Sequence, residues 1–587
     1  MLLHALIDIA LSGKMSAQNI AMQNEIFYLI LSMYMCYNMA MKTKNGNLHL
    51  EIQTSRKSAV GILRTSYYDD GRVNHTQHGR ITGCTQEQLK ILQKAFREQV
   101  IPADDTNAFK ILQSKEYGAS FAILEVIKQT GLDKAIFSKK ETWVNSILAM
   151  IIGRLVYAGS KLSLSHMAGN SCLWELCGIS KVDVDNHCYE PLDALLDRQE
   201  AIQKKLAKKH LTDGSLVLYD ITSSYLEGEY SESNLVSFGY NRDGKKSHEQ
   251  IVIGLICNNE GCPVGVEVFK GNTKDSTTIA GKIQEIKNIY GINKAIFVGD
   301  RGMITEHNLE CIKNEEFYTI SALNRNAIHK LIERKVIQPS LFDDTNICEI
   351  LDPESDWRYC LCQNPFQTEK SKSTRNAILD KMKEKLDVIV NYKRATTVAI
   401  LGSRVGKILS QYGMGKYIEW SIEADTAAET SIAHKVIWQL NQQQINEESQ
   451  LDGCYVITSD VNKKDMSARE VVESYKKLIL IENAFRNLKT VTLEMRPIYH
   501  RKDDRIRSHV FLCMLAYYIQ WHMKKSLQSL LDNQGRGKNR KLTFNNIIES
   551  LKQVTKNKVV IAGAEIFKVS TPTIDQQAIL SALNVVI

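Results

Sequence analysis

At Ser215 the chain changes character, and this change constrains the fold more than any other feature. SLVLYDIT is a continuous apolar run rich in β-branched residues, as expected of a strand buried on both faces. QIVIGLICNNEGCPVGVEVFKG reads as two further strands around an Asn-Glu-Gly turn, and STTIAGKIQEIKNIYG as an amphipathic helix. KAIFVGD is another buried strand, ITEHNLECIKN another helix and FYTISAL another strand. Three strands, helix, strand, helix, strand predicts an α/β fold with a mixed sheet flanked by helices. Two of these strands, SLVLYD and KAIFVGD, end on an aspartate, Asp220 and Asp300.

The rest of the chain is organised around that block. With 587 residues, 44% of them hydrophobic, it exceeds one core and predicts several domains. Residues 1–40 read as an extension outside the working fold. Residues 41–82 alternate apolar and polar, with turns at Asn45-Gly46 and Asp70-Gly71. They predict a β arm carrying Lys42, Lys44, Arg56, Lys57, Arg64 and Arg72. Residues 83–212 are helical in pattern, a domain of a kind that can bind DNA but whose lysine-bearing faces are equally those of ordinary solvated helices. The sheet domain covers 213–323, an insertion 324–452, and the sheet resumes at YVITSD over 453–522. A long helix, SAREVVESYKKLILIENAFRNLK, follows that strand, and 523–587 form a C-terminal region with a basic loop, GRGKNRK.

Composition narrows the function only modestly. The net charge of +8 permits nucleic-acid binding without requiring it. Thirteen cysteines are scattered without a Cys-x-x-Cys pair, which predicts reduced, mostly buried thiols, no zinc cluster and a cytoplasmic protein, nucleoid-associated if it binds DNA. The apolar run Ile26–Tyr37 is too short to span a bilayer as a helix, so no membrane partner is expected.

The chemistry points to carboxylates. A buried acid at the rim of an open sheet needs a compensating cation or donor, although a single such Asp equally often caps the next turn. Glu482, on the long helix, supplies a third acid. Tyr475, Glu482 and Lys489 are spaced seven apart and are expected to share one face, with Arg486 beside it. The plain alternative is a solvated face with an ordinary Glu482–Arg486 pair. Three acids suit phosphodiester cleavage, in which two divalent ions about 4 Å apart serve the attacking and leaving oxygens. Mg²⁺ takes oxygen ligands and keeps several waters, so a few carboxylates suffice.

At these residues the sequence resembles the insertion-sequence transposases that carry a ribonuclease-H-like DDE domain and a Tyr-Arg-Glu-Lys signature. The blocks that carry the resemblance include YGASFAILEVIKQTGLDKAI, LYDITSSYLEGEY, GYNRDGKKSHEQIVIGL, VFKGNTKD, VGDRGMIT, LDGCYVITSD, YKKLILIENAFRNLK and RPIYHRKDDRIRSHVFLCMLAYY. The resemblance implies a ribonuclease-H-like sheet interrupted by a β-rich insertion. It also implies a metal triad of Asp220, Asp300 and Glu482, with two Mg²⁺ and Mn²⁺ as a substitute. Tyr475, Glu482 and Lys489 fit the signature; its arginine position is Leu478, with Arg486 one helical turn past Glu482. Tyr475, Arg486 and Lys489, together with Arg301 and Asn272, are the expected DNA contacts. Gly271-Asn272 forms a tight turn near the rim, and Arg301 directly follows an acid. The expected partners are the element's terminal inverted repeats and target DNA, bound by a homodimer in cut-and-paste transposition. Trp420 or Trp438 would stack a flipped base. Other readings stay open: another nuclease on the same fold, a membrane-tethered protein, and a transposase-derived DNA-binding protein without catalysis.

Overall fold

The structure is a computed structural model. It describes residues 48–55, 58–69, 71–82, 85–98, 109–139, 141–245, 247–300, 303–392, 397–425, 433–532, 542–561 and 564–587. The run Ile26–Tyr37, Lys42, Lys44, Arg56, Lys57, Arg301 and the basic loop at 535–541 lie outside them. The chain divides into two compact units, Met1–Ser114 with Lys556–Ser570 and Lys115–Thr555 with Thr571–Ile587.

In the first unit, β1 (Leu48–Ser55), β2 (Ser58–Asp69) and β3 (Arg72–Ile81) form an antiparallel meander. The helix Gln86–Glu98 closes it, bringing Leu89 and Leu92 onto Leu50. A second sheet of this unit begins with β4 (Phe109–Glu116).

The second unit is built on a mixed sheet. Its centre comprises β5 (Ser215–Tyr225), β6 (Gln250–Cys257), β7 (Pro263–Lys270), β8 (Ala295–Val298) and β9 (Tyr318–Ala322). They lie side by side in the order β7-β6-β5-β8-β9. β5, β6 and β7 are antiparallel neighbours, whereas β8 and β9 run parallel to β5. This is the ribonuclease-H-like arrangement, and the two-residue period of β5 explains its layers. Leu216 and Leu218 enter one core, while Val217, Tyr219 and Ile221 enter another on the opposite face. Both faces are therefore covered, as the unbroken apolar run anticipates.

On the first face lies the helix Asp503–Ser526, packed against β7 and against the helices Gly118–Thr130, Thr142–Val156 and Glu190–Asp197. The helices between Gly118 and His210 thus share one hydrophobic core with the sheet. Among the described residues no single helix is long and apolar enough to cross a membrane.

The insertion leaves the sheet after β9. β10 (Cys348–Leu351) and β11 (Arg358–Gln363) belong to the main sheet. The helices Pro365–Val390 and Val398–Tyr412 then pack with a hairpin of β12 (Ile418–Asp425) and β13 (Ala433–Leu440). Among the described residues the insertion carries four strands, but its two longest elements are helices. β14 (Cys454–Ser459) returns between β9 and β11, completing an eight-stranded sheet. β15 (Thr555–Ile561) and β16 (Ala564–Val569) join β4 in the first unit.

One buried ion pair ties the insertion to the sheet. The Arg375 guanidinium, on the long helix, grips both carboxylate oxygens of Asp452, just before β14. Both side chains are under 10% exposed. Removing Arg375 leaves the buried Asp452 with only Arg325, 3.5 Å away and half exposed, to compensate it. Arg375→Met is therefore expected to lower stability in urea melts by about 3–5 kcal/mol; a loss below about 1 kcal/mol would show that the pair is not structural.

Candidate active site

The strand carrying Asp220 does not end there. It continues to Tyr225 because β6 pairs with it throughout, Asp220 facing Leu255 and Tyr225 facing Gln250. What ends is its other neighbour. The last parallel pair with β8 is Leu218 with Val298, and Asp220 and Asp300 each lie two residues beyond it. Asp220 therefore sits on the same face as Leu218 and beside the end of β8, with Asp300 at the matching height.

Their electrostatics agree with this proximity. Burial, with the Asp300 charge adding to it, raises the Asp220 carboxyl from 3.8 to about 7, against the pull of the Ile221 amide and Arg242. The Ile221 N–H donates to Asp220 Oδ1 at 2.8 Å. Asp300 is exposed, and the Tyr475 hydroxyl donates to its Oδ1 at 3.3 Å.

The long helix expected after β14 is broken. It begins at a capping box between Ser467 and Glu470 and runs Ala468–Lys476. After Lys477 it restarts as Leu478–Arg486 and ends in a wide π turn, Asn487–Val491. The three side chains spaced seven apart differ in their surroundings. Tyr475 turns to Asp300, Glu482 is exposed, and Lys489 is only 7% exposed. The Lys489 ammonium donates to Thr222 Oγ1 at 2.7 Å and lies 3.3 Å from Asp243, whose other oxygen pairs with Arg496. Burial pushes the Lys489 ammonium's pKa down, with Asp243 opposing. Lys489 thus faces inward, bracing β5 two residues past Asp220.

Glu482 reaches the same side of the sheet. Its neighbours Ile481, Ala484, Phe485 and Leu488 enter the core that Leu216, Leu218 and Val298 line. The Glu482 carboxylate makes no hydrogen bond or ion pair among the described residues, so the alternative of an ordinary Glu482–Arg486 pair is not what the structure shows. Arg486 is exposed. Leu478, at the signature's arginine position, packs against the core.

Two further blocks of the resemblance, GYNRDGKKSHEQIVIGL and VFKGNTKD, build the other wall. Arg242 donates to the Ile221 carbonyl at 2.7 Å and pairs with Asp275 of the GNTKD segment. Gly271 of that segment is packed against backbone: a Cβ there would stand 2.0 Å from the Gln250 carbonyl oxygen. No side chain fits, so the glycine is a requirement of close approach. Asn272, next to it, is exposed. No spacing rule signalled Arg242 or Asp275; their partners are 21 and 33 residues from Arg242 along the chain.

The described carboxylates of this site do not converge within 4.8 Å of one another; among the described residues the His/Cys/Asp/Glu group that does is His210, Cys262 and His522. The sequence reading expected no histidine–cysteine cluster, and the fold assembles one from three remote segments.

Comparison with known proteins decides the family. The transposase DDE domain family matches residues 212–519, from just before β5 into the helix Asp503–Ser526. The chain belongs to the transposase DDE domain family. A transposase role follows, with Asp220 and Asp300 set at the rim of the sheet that the family match covers. A similar solved structure is a piggyBac transposase synaptic complex with hairpin DNA, at 7% identity and TM-score 0.33, covering 74% of this chain and 75% of that chain. No curated protein matches.

The raised Asp220 carboxyl has a measurable consequence. Between pH 3.8 and about 7 the folded protein holds a proton that the unfolded chain has released. Stability of the metal-free protein should therefore fall as pH rises through that window. Asp220→Asn should flatten this fall in melts recorded with a chelator; an unchanged slope would mean that Asp220 titrates normally.

Proposed function

We propose that this transposase cleaves DNA at the ends of its mobile element and joins the freed 3′-hydroxyl to target DNA, in cut-and-paste transposition. The observation that carries the reading is the matched height of Asp220 and Asp300 on parallel strands, with Asp220 pushed up by burial. Acids so placed are stabilised by a cation, and an all-oxygen donor set of Asp220, Asp300 and Glu482 fits Mg²⁺, with Mn²⁺ as a substitute. Two such ions, when bound, would sharpen an attacking hydroxyl and stabilise the leaving oxygen.

The chain's own groups do the positioning. Tyr475 orients Asp300 through its hydroxyl. Arg242 and Lys489 hold β5 on either side of the Asp220 face, so the carboxylate presents a fixed edge. Glu482 comes from the helical segment Leu478–Arg486 and has no other partner among the described residues. Exposed Arg486 and Asn272 are suited to phosphate contacts, which fix DNA register and carry affinity. Phe238 and Tyr240, 61% and 85% exposed beside Arg242, offer aromatic faces for unpaired bases. Trp420 and Trp438 stand directly opposite each other across the β12–β13 hairpin, a second stacking surface for a flipped base. The partners in this reading are terminal inverted repeats and target DNA, with two copies of the chain bringing two ends together.

Cleavage of the element's own terminal DNA in Mg²⁺ tests the reading. Asp220→Asn, Asp300→Ala and Glu482→Ala are each expected to cut the single-turnover rate by about 10²–10³-fold or more, with end binding retained. Arg486→Ala should weaken binding and reduce its salt slope by about 1. A wild-type protein that binds ends and never nicks them would instead be a DNA-binding derivative without catalysis.

A further inference from the structure

Away from the acidic rim, three soft-metal donors meet where no sequence motif announces them. His210 ends the helix Gln199–His210, Cys262 closes the tight turn between β6 and β7, and His522 lies near the end of the helix Asp503–Ser526. One ligand atom from each lies within 4.8 Å of the other two. Cys262 is fully buried, and His522 Nε2 is a buried nitrogen with no hydrogen-bond partner. The Tyr518 hydroxyl fixes the His210 ring through a 3.0 Å contact with Nε2.

We propose that His210, Cys262 and His522 bind one Zn²⁺, a structural site separate from the carboxylates that serve DNA cleavage. Two imidazoles and a thiolate are the donor types zinc prefers, and they make a three-ligand site whose fourth position a water would complete, unlike the closed four-ligand set usual for zinc that only stabilises a fold. Zinc–sulfur and zinc–nitrogen bonds of about 2.3 and 2.0–2.1 Å bring tetrahedral ligands closer than 4.8 Å, so small side-chain shifts close the site. Burial already keeps both imidazoles neutral, the form that ligates: His210 and His522 are each lowered to about 4. The same burial raises the Cys262 thiol, so binding releases its proton to solvent and leaves the thiolate on the metal. The nearby cations are engaged elsewhere. Lys209 donates to the Thr130 carbonyl at 2.6 Å, and Lys525 pairs with Glu260 at 2.6 Å.

The site has a structural task. The β6–β7 turn is already fastened to the helix end, Trp521 donating to the Glu260 carbonyl at 3.2 Å. Gly261, in the left-handed region at φ +81°, touches the segment that carries the third acid: a Cβ there would lie 2.9 Å from Leu480 Cβ. Zinc would lock this turn, and the turn supports the helix two residues before Glu482.

The test is metal content and spectroscopy on the full chain, so its outcome does not depend on whether the transposase reading holds. Protein purified without chelator and dialysed is expected to retain about one Zn²⁺ per chain. Asp300→Ala should keep that zinc, while His522→Gln and Cys262→Ser should each lose most of it, by about tenfold or more. Co²⁺ added to the stripped wild type should give a thiolate charge-transfer band that Cys262→Ser lacks. If Cys262→Ser fails to fold, His522→Gln, at a half-buried position, answers alone. Zinc content equal in wild type and His522→Gln, or a stripped wild type that takes up Co²⁺ without a thiolate band, overturns the site.

Discussion

The parallel pairing of Leu216, Val217 and Leu218 with Ile296, Phe297 and Val298 is the contact on which the acidic rim depends. Backbone hydrogen bonds set the height of one strand against the other. A slip of one residue would send either aspartate to the opposite face. The pairing is protected by burial, since Leu218 and Val298 enter one core while Val217 and Phe297 enter the other. Both cores hold the register that brings two carboxylates together, and the Asp220 carboxyl carries the electrostatic cost of that placement.

The surroundings of this pair divide into fixed and free groups. Lys489, Arg242, Asp243, Asp275 and Arg496 form an interlocked set of charges beside Asp220. Glu482, Arg486 and Asn272 are exposed. A polyanion entering from the exposed side would meet the free groups, while the interlocked ones keep β5 from yielding. The break at Lys477 makes this division, turning Tyr475 to Asp300 and leaving Glu482 on a separate helical segment.

Much of the sheet was legible in the sequence because buried strands advertise themselves by unbroken apolar runs. The order of strands and helices from Ser215 to Ala322 followed from pattern alone, and so did the presence of an acid at the end of SLVLYD and of KAIFVGD. The helix carrying Tyr475, Glu482 and Lys489 was expected to be continuous, whereas a break at Lys477 and a π turn divide it. The extent of β5 was misjudged for a related reason: β6 carries it past Asp220, and pairing partners are not written in local sequence.

The sequence by itself determined the alternation of strands and helices, the acids available at the rim and the family blocks, because these rest on local periodicity and residue type. Tertiary structure alone decided which charges face inward, as Lys489 does through contacts with Thr222 and Asp243, residues 267 and 246 positions away. It likewise decided that His210, Cys262 and His522 meet. Such groupings arise from packing between remote segments, and no local pattern encodes a distance across a core.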